Sequence, residues 1–476
     1  MTPYAVLATL LAYFAVLAAV SWLAGRKSSG KDVFYTGGRK THWAVVAFAM
    51  IGSCMSGVTF VSVPGMVGVS GFGYLQMCIG FFLGYLVIAF VLTPLYFRLG
   101  AVSVYQYLEQ RFGLGAYRTG AWFFFISKML GASVRLYLVC LALQLLLFGP
   151  LGLPFWLNVV CNVGVCLAYT FRSGVKSVIW TDVLKTVCMI VAVTLCIVFI
   201  GRDLGGVRIR ERVFFFDDVN HPQFFWKQLL GGLFTVIAMT GLDQDMMQRT
   251  LACKDYRDSQ KNLIVSSLLQ TVVIALFLCL GSLLYRFAAA HSIAETGDSL
   301  FPTVATGGLL PGIVGVLFVL GLVSSAYGAG GSALTSLTTS FTVDILKKAD
   351  DTKVRKGVHL AMTVLMAVTI LVFNALNSTS AIDAVYKLAS YTYGPILGLF
   401  AFGILTRKQV KDKYVPVVAL LSPLICLVLQ THSEQWFGGY RFSYELLLVN
   451  AGLTFLGLCC LIRRGGRPQP EPDGRP

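Results

Sequence analysis

Apolar runs of about 20 residues follow one another along almost the whole chain, and the segments between them are mostly short and rich in Lys and Arg. A helix of that length spans the hydrocarbon core of a bilayer. Backbone amides find no water there, so a crossing segment must satisfy its own hydrogen bonds, as a helix does. Of 476 residues, 56% are hydrophobic and only 13% charged, about half the charged share of a soluble domain. The fold class this specifies is an all-α polytopic membrane protein of about thirteen transmembrane helices. The runs lie at roughly 4–24, 43–68, 74–98, 119–148, 154–171, 175–200, 226–245, 261–290, 312–341, 357–376, 382–405, 414–430 and 443–462.

The formal net charge of +16 reports topology in such a chain, and nucleic acid is not implied. Odd-numbered loops, beginning with 25–42, and the C-terminal tail hold most of the 38 Lys and Arg. Basic loops stay in the cytoplasm, so the expectation is a multi-pass protein of the cell (inner) membrane, N-terminus outside and C-terminus cytoplasmic. The first run has no basic residue before it and is followed by Arg26 and Lys27, so it reads as a span and not as a cleaved leader. Twelve cysteines, nearly all inside apolar runs, show no metal-site or disulfide spacing and read as free thiols. Segment 101–112 carries apolar residues at helical spacing and is expected along the cytoplasmic face. Turns are expected in loop 201–226, around Asp217, Asp218 and Asn220 to Pro222. Residues 1–464 form one transmembrane domain by this reading, and the Pro-, Gly- and Arg-rich 465–476 a disordered cytoplasmic tail.

Two spans carry helix-weakening residues near mid-depth. Span two has Gly52, Ser53, Ser56 and Gly57; span seven has Thr240, Gly241 and Asp243. Each begins a block of five spans, giving core repeats of about 43–200 and 226–405. Interrupted helices at matching places in two halves are the sequence mark of an inverted-repeat transporter with its site at the midplane.

Ionisable groups at membrane depth are costly and usually functional. The candidates are Lys128, Arg135, Asp182, Lys185 and Lys387. Arg135 is roughly 20 Å from either end of its span, so it must pair with an acid such as Asp182, with backbone carbonyls, or with a solute carboxylate. Lys128 and Lys387 are expected to reach a membrane surface. Asp243, Gln244, Gln248 and Arg249 sit at a helix end and are expected to form an inner-gate polar network. Tyr391, Tyr393 and Pro395 are either pathway-lining or packing residues.

Several stretches, in order along the chain, resemble the sodium/solute symporter family of sodium-coupled sugar, proline and sialic acid carriers. They are SGVTFVSVPG (Ser56 to Gly65), VYQYLEQRFG (Val104 to Gly113), GVKSVIWTDVL (Gly174 to Leu184), TGLDQDMMQR (Thr240 to Arg249) and SALTSLTTSFTVDI (Ser332 to Ile345). The resemblance implies a LeuT-type core of two inverted five-helix repeats with peripheral helices. It also implies a secondary active transporter of a small organic solute working by alternating access. Matching the family's sialic acid carriers places Cys54, Ser56, Thr59, Phe72, Gln76 and Arg135 at substrate-binding positions and favours an acidic solute such as a sugar acid.

The same resemblance assigns sodium-site positions to Gly52, Met55, Ser325, Gly328, Ala329, Ser332 and Asp182. Here the chain departs from its family. Sodium wants hard oxygen ligands, but the two serine positions are Gly328 and Ala329, and a further polar position is Gly331. Three residues after Asp182 stands Lys185, on the same helix face. Either its ammonium replaces the ion, leaving a sodium-independent or proton-coupled carrier, or the two form a static pair with sodium bound elsewhere. No cofactor other than Na+ is implied; the partners implied are a small-molecule solute and lipid.

An enzyme is disfavoured. All five histidines fall in loops or at span ends, and no His-Glu-x-x-His motif or Cys/His cluster occurs. No repeated filter sequence suggests a channel. A non-transporting sensor on the same fold is the remaining alternative.

Overall fold

A computed structural model describes residues 3–25, 41–100, 103–171, 175–207, 209, 215–219, 221, 223–348, 351–376, 381–440, 442 and 444–463. The tail from 465, Asn220 and Pro222 lie outside the described residues.

The order begins with α1 (Pro3–Gly25), α2 (Trp43–Cys54), α3 (Gly57–Ser70), α4 (Tyr74–Arg98), the short α5 (Gln106–Arg111), α6 (Leu114–Phe148), α7 (Phe155–Thr170) and α8 (Val175–Asp203). It continues with α9 (Phe225–Gly241), α10 (Gln244–Thr250), α11 (Tyr256–Ala290), the short α12 (Leu300–Thr306), α13 (Gly312–Ile345), α14 (Thr352–Leu376), α15 (Ala381–Leu405), α16 (Val415–Trp436) and α17 (Leu446–Cys460). Among the described residues, nine helices are long and apolar enough to cross a bilayer, and two further crossings are the bent pairs α2–α3 and α9–α10. The apolar helices α7 and α17 have 16 and 15 residues, short of the length a straight crossing needs. The count of thirteen therefore exceeds what helix length alone establishes.

The bends are 64° between α2 and α3 and 73° between α9 and α10, at the two places where Gly, Ser, Thr and Asp interrupt apolar runs. Unwound backbone is tolerated at membrane depth only inside protein, and Met55, Ser56, Leu242 and Asp243 are all buried. Around the breaks, α4 packs along α9, α8 against α13 and α2, and α6 against α13 and α15. The peripheral α1, α14 and α16 leave large apolar side chains such as Leu11, Val364 and Leu424 on the outside, as helices facing lipid do. The α2–α8 contact needs Gly52: a Cβ there would stand 2.4 Å from Thr186 Oγ1 and 2.8 Å from the Asp182 carbonyl.

Of the segment expected to be helical at 101–112, α5 is the helical part. Arg111 from it donates to the carbonyls of Gly403, Thr406 and Lys408, tying the loop to the end of α15. The described cysteines are all unbridged.

Candidate functional site

The backbone groups freed by each break are taken up by side chains. At the first, the Ser56 amide donates to Thr59 Oγ1 (3.3 Å), the first turn of α3 closing on itself. At the second, Asp243 caps α10 by accepting from the amides of Asp245 (2.8 Å) and Met246 (3.2 Å). On the other side of that break, Tyr96 donates to the Gly241 carbonyl (3.0 Å) and Tyr105 to that of Leu242 (2.8 Å). A charged cap on a helix N-terminus also offsets its dipole.

A buried charge cluster lies beside the breaks. Arg249 Nε pairs with Asp182 Oδ2 at 3.0 Å and Nη1 with Asp245 Oδ1 at 2.8 Å; Nη2 hydrogen-bonds Ser332. Ser53 donates to Asp182 Oδ2 (2.7 Å) and Ser332 to Asp245 Oδ1 (2.6 Å). Lys128 pairs with Asp245 Oδ2 at 2.8 Å and Asp243 Oδ2 at 3.2 Å, and Tyr393 donates to Asp243 at 2.5 Å. The cluster thus joins α2, α6, α8, α10, α13 and α15. Lys128 does not snorkel as expected; it is buried and spends its charge on two carboxylates. Lys387 is exposed near the N-terminal end of α15, and Tyr391 bonds Gln430.

Two cations of the cluster stand apart. Lys185 is fully buried, and among the described residues neither its Nζ nor Asp182 Oδ1 has a hydrogen-bond partner. Both converge on Gly328: a Cβ there would lie 3.1 Å from Asp182 Oδ1, 3.2 Å from Lys185 Nζ and 2.6 Å from Lys185 Cδ. Arg249 takes Asp182 Oδ2, and Lys185 Nζ faces the other oxygen across the Gly328 position. Arg135 forms no ion pair or hydrogen bond among the described residues, and it lines two adjoining cavities. Counted at formal charge, three carboxylates (Asp182, Asp243, Asp245) face four cations (Lys128, Lys185, Arg249, Arg135). Of the two cations without an ion pair among the described residues, Lys185 and Arg135, Arg135 is the one on the cavity wall.

The larger cavity sits against both breaks. Cys54, Ser56 and Thr59 line it from the first broken pair, Thr240 and Met246 from the second, and Arg135 from α6. Four of the six residues placed at substrate positions from sequence therefore meet there. Phe72 and Gln76 do not line it. The Gln76 amide is consumed by the α3–α4 turn and the 201–226 loop: Nε2 donates to the carbonyls of Gly73 (3.2 Å) and Gln223 (3.0 Å), and Oε1 accepts from the Phe216 amide (3.2 Å). The cavity also holds Tyr85 and Gln270, which sequence reading passed over because an uncharged polar group barely dents an apolar run.

Of the sodium positions, Gly52, Met55, Ser325, Ser332 and Asp182 are all buried. The hydroxyls they offer are taken or missing. The Ser325 hydroxyl donates to its own helix at the Leu322 carbonyl (2.7 Å), Ser332 is held by Asp245 and Arg249, and Gly328 and Ala329 have no hydroxyl. The volume beside Gly328 is occupied by the Lys185 chain. Of the inner-gate residues, Asp243 and Arg249 are in the cluster, Gln244 Oε1 accepts from the Val104 amide (2.9 Å), and Gln248 is buried beside them.

Comparison with known proteins agrees with this architecture. The chain is 28% identical over 475 residues to the sodium/sialic acid symporter NanT of Aliivibrio fischeri, covering 92% of this chain and 91% of that protein. It is 27% identical over 428 residues to the sodium-coupled monocarboxylate transporter 1 of Xenopus laevis, covering 84% of this chain and 67% of that one. The solved structure of a Na+-coupled sialic acid symporter, substrate-bound and outward-open, superposes with a TM-score of 0.81 at 20% identity over 96% of this chain and 97% of that one, which establishes the common fold. Residues 34–413 match the sequence model of the sodium:solute symporter family. Two bent helix pairs, a polar cavity between them and this match over most of its length make the chain a member of the sodium:solute symporter family, a membrane transporter and not an enzyme.

Proposed function

We propose that the protein carries a small carboxylate-bearing solute, a sugar acid such as sialic acid, across the cell (inner) membrane by alternating access. In this reading residues 1–464 act as one transport domain, with the N-terminus outside and the C-terminus in the cytoplasm. The observation that carries it is Arg135: a guanidinium on the wall of a midplane cavity, without a protein counter-ion, in a cluster one positive charge in excess. Burying an unpaired charge is unfavourable, and a carboxylate would supply two parallel hydrogen bonds as well as the missing charge. Ser56 and Thr59, at the start of α3, bring hydroxyls to the same cavity. The inner gate is the Asp243, Gln244, Gln248 and Arg249 group, locked to the rest of the bundle through Asp182, Lys128 and Tyr393.

The test is a thermal-shift screen of the purified protein against sugars, sugar acids and amino acids, with and without sodium. Sugar acids are expected to raise Tm, and Arg135→Gln to abolish the response. Stabilisation by a neutral sugar or amino acid that survives Arg135→Gln refutes the reading.

Sodium is the coupling ion that membership of the family favours. A second reading, favoured by the position of Lys185, is that its ammonium fills the α2–α8–α13 site, so that this position needs no ion. Uptake into proteoliposomes in sodium against choline medium separates the two. Uptake that collapses in choline excludes a lysine substitute.

A further inference from the structure

Tyr85 on α4 is fully buried, yet its hydroxyl is a meeting point for both breaks. It donates to Gln270 Oε1 on α11 (3.2 Å). It contacts Cys54 Sγ, the last residue of α2, at 3.1 Å, and lines the cavity together with Thr240, one residue from the end of α9. A phenol has one proton, which goes to Gln270, so the thiol donates to its oxygen. The consequence for Gln270 is a fixed orientation. With Oε1 committed to Tyr85, its two N–H donors are the free end, and they make no hydrogen bond among the described residues. Gln270 lines the same cavity as Arg135. It lies at least about 20 Å from either end of α11 by helix rise, between Leu268 and Leu269 on one side and Val272 on the other, all exposed on the apolar outside. A primary amide at that depth, held by a buried hub and offering donors to a cavity, is arranged as a ligand contact is.

We infer that the cavity has a second recognition pole, in which Gln270, oriented by Tyr85, donates to a neutral oxygen of the solute whose carboxylate rests on Arg135. The substrate class is then a carboxylic acid bearing a hydroxyl or acyl-amide oxygen away from its carboxylate, and not a plain aliphatic acid or an inorganic anion. This rests on the Arg135 reading given above. Gln270 is the residue that discriminates between the two kinds of acid; Tyr85 positions it.

The test compares sialic acid with propionate, by thermal shift and by competition for uptake, on the parent, Gln270→Leu, Tyr85→Phe and Arg135→Gln. In the parent, sialic acid should bind at least tenfold tighter than propionate. Gln270→Leu should weaken sialic acid about tenfold, the worth of one or two neutral hydrogen bonds, while leaving propionate unchanged. Tyr85→Phe should give a smaller loss in the same direction. Arg135→Gln should weaken both acids together. Gln270→Leu also leaves the buried Tyr85 hydroxyl without its acceptor, so its ligand-free Tm should fall somewhat; recognition is separated from that packing cost by the selective loss of sialic acid over propionate. Equal weakening of both acids by Gln270→Leu, unchanged sialic acid binding in that variant, or a parent that does not prefer sialic acid overturns the second pole. Sialic acid binding that survives Arg135→Gln overturns the carboxylate reading instead.

Discussion

Replacing Gly328 by Ser should cost much less stability in a chain that also lacks the Lys185 side chain. The Cβ of residue 328 would stand 2.6 Å from Lys185 Cδ, far inside carbon–carbon contact distance. Because Lys185 is wholly buried, the strain should be about 1–3 kcal/mol, the usual range for overpacking a core. The relieving change is Lys185→Ala and not Lys185→Gln, since glutamine keeps a δ-carbon. Lys185→Ala has its own cost. Lys185 Nζ and Asp182 Oδ1 each lie within 3.2 Å of the same point, so they are at most about 6 Å apart. At an effective dielectric of about 20, the lost attraction is then roughly 3 kcal/mol. In the double variant the clash vanishes and the new serine hydroxyl stands beside the orphaned Asp182 Oδ1, where it can donate. The two changes should therefore be non-additive by at least about 1 kcal/mol in the compensating direction. The assay is thermal unfolding in detergent of parent, both single variants and the pair. Uptake in sodium and choline media would be measured on the pair with Ala329→Ser added; if Lys185 stands in for the ion, that triple variant should gain sodium dependence. Additive costs in the cycle would refute the packing argument, and a triple variant with unaltered ion dependence would refute the substitution.

Arg249→Gln should destabilise the protein by about 3–5 kcal/mol, because it leaves Asp182 and Asp245 buried without their shared counter-ion; Arg249→Lys should recover little, since one ammonium cannot reproduce the fork that meets two carboxylates and Ser332. A thermal melt of both variants checks this, and a lysine variant as stable as the parent would refute it. Gly52→Ala should lower stability by about 1–3 kcal/mol, because the Asp182 carbonyl, 2.8 Å from the new Cβ, is backbone and cannot rotate away. Thr186→Ala should rescue it only in part, again read by Tm.

The breaks were legible because Gly, Ser and Asp at mid-span oppose a helix that lipid otherwise enforces. Arg135 was legible because a guanidinium in hydrocarbon stands out, and the structure leaves it without a protein counter-ion. Lys128 misled for a physical reason: whether a cation snorkels or is buried depends on an acid elsewhere in the chain, and Asp245, 117 positions away in sequence, is not marked as its partner by any local pattern. Arg249 was read at a gate, yet it also reaches Asp182 on another repeat, a tertiary fact. Gln76 matches a family position, but in this structure Gly73, Phe216 and Gln223 take up its amide. Gln270 was overlooked because the depth rule was applied to charges alone; extended to amides, it would have marked it.

The tyrosine hydroxyls that cover the Gly241 and Leu242 carbonyls have a mechanical consequence. A helix that could wind and unwind at this point would have to swap those partners for amides on every cycle, stranding two phenols in a water-poor interior. The interruption is better regarded as a permanent joint than as a spring. Whatever shape change moves cargo past it should leave the peptide geometry at residues 241–243 intact and appear as whole helices turning about it.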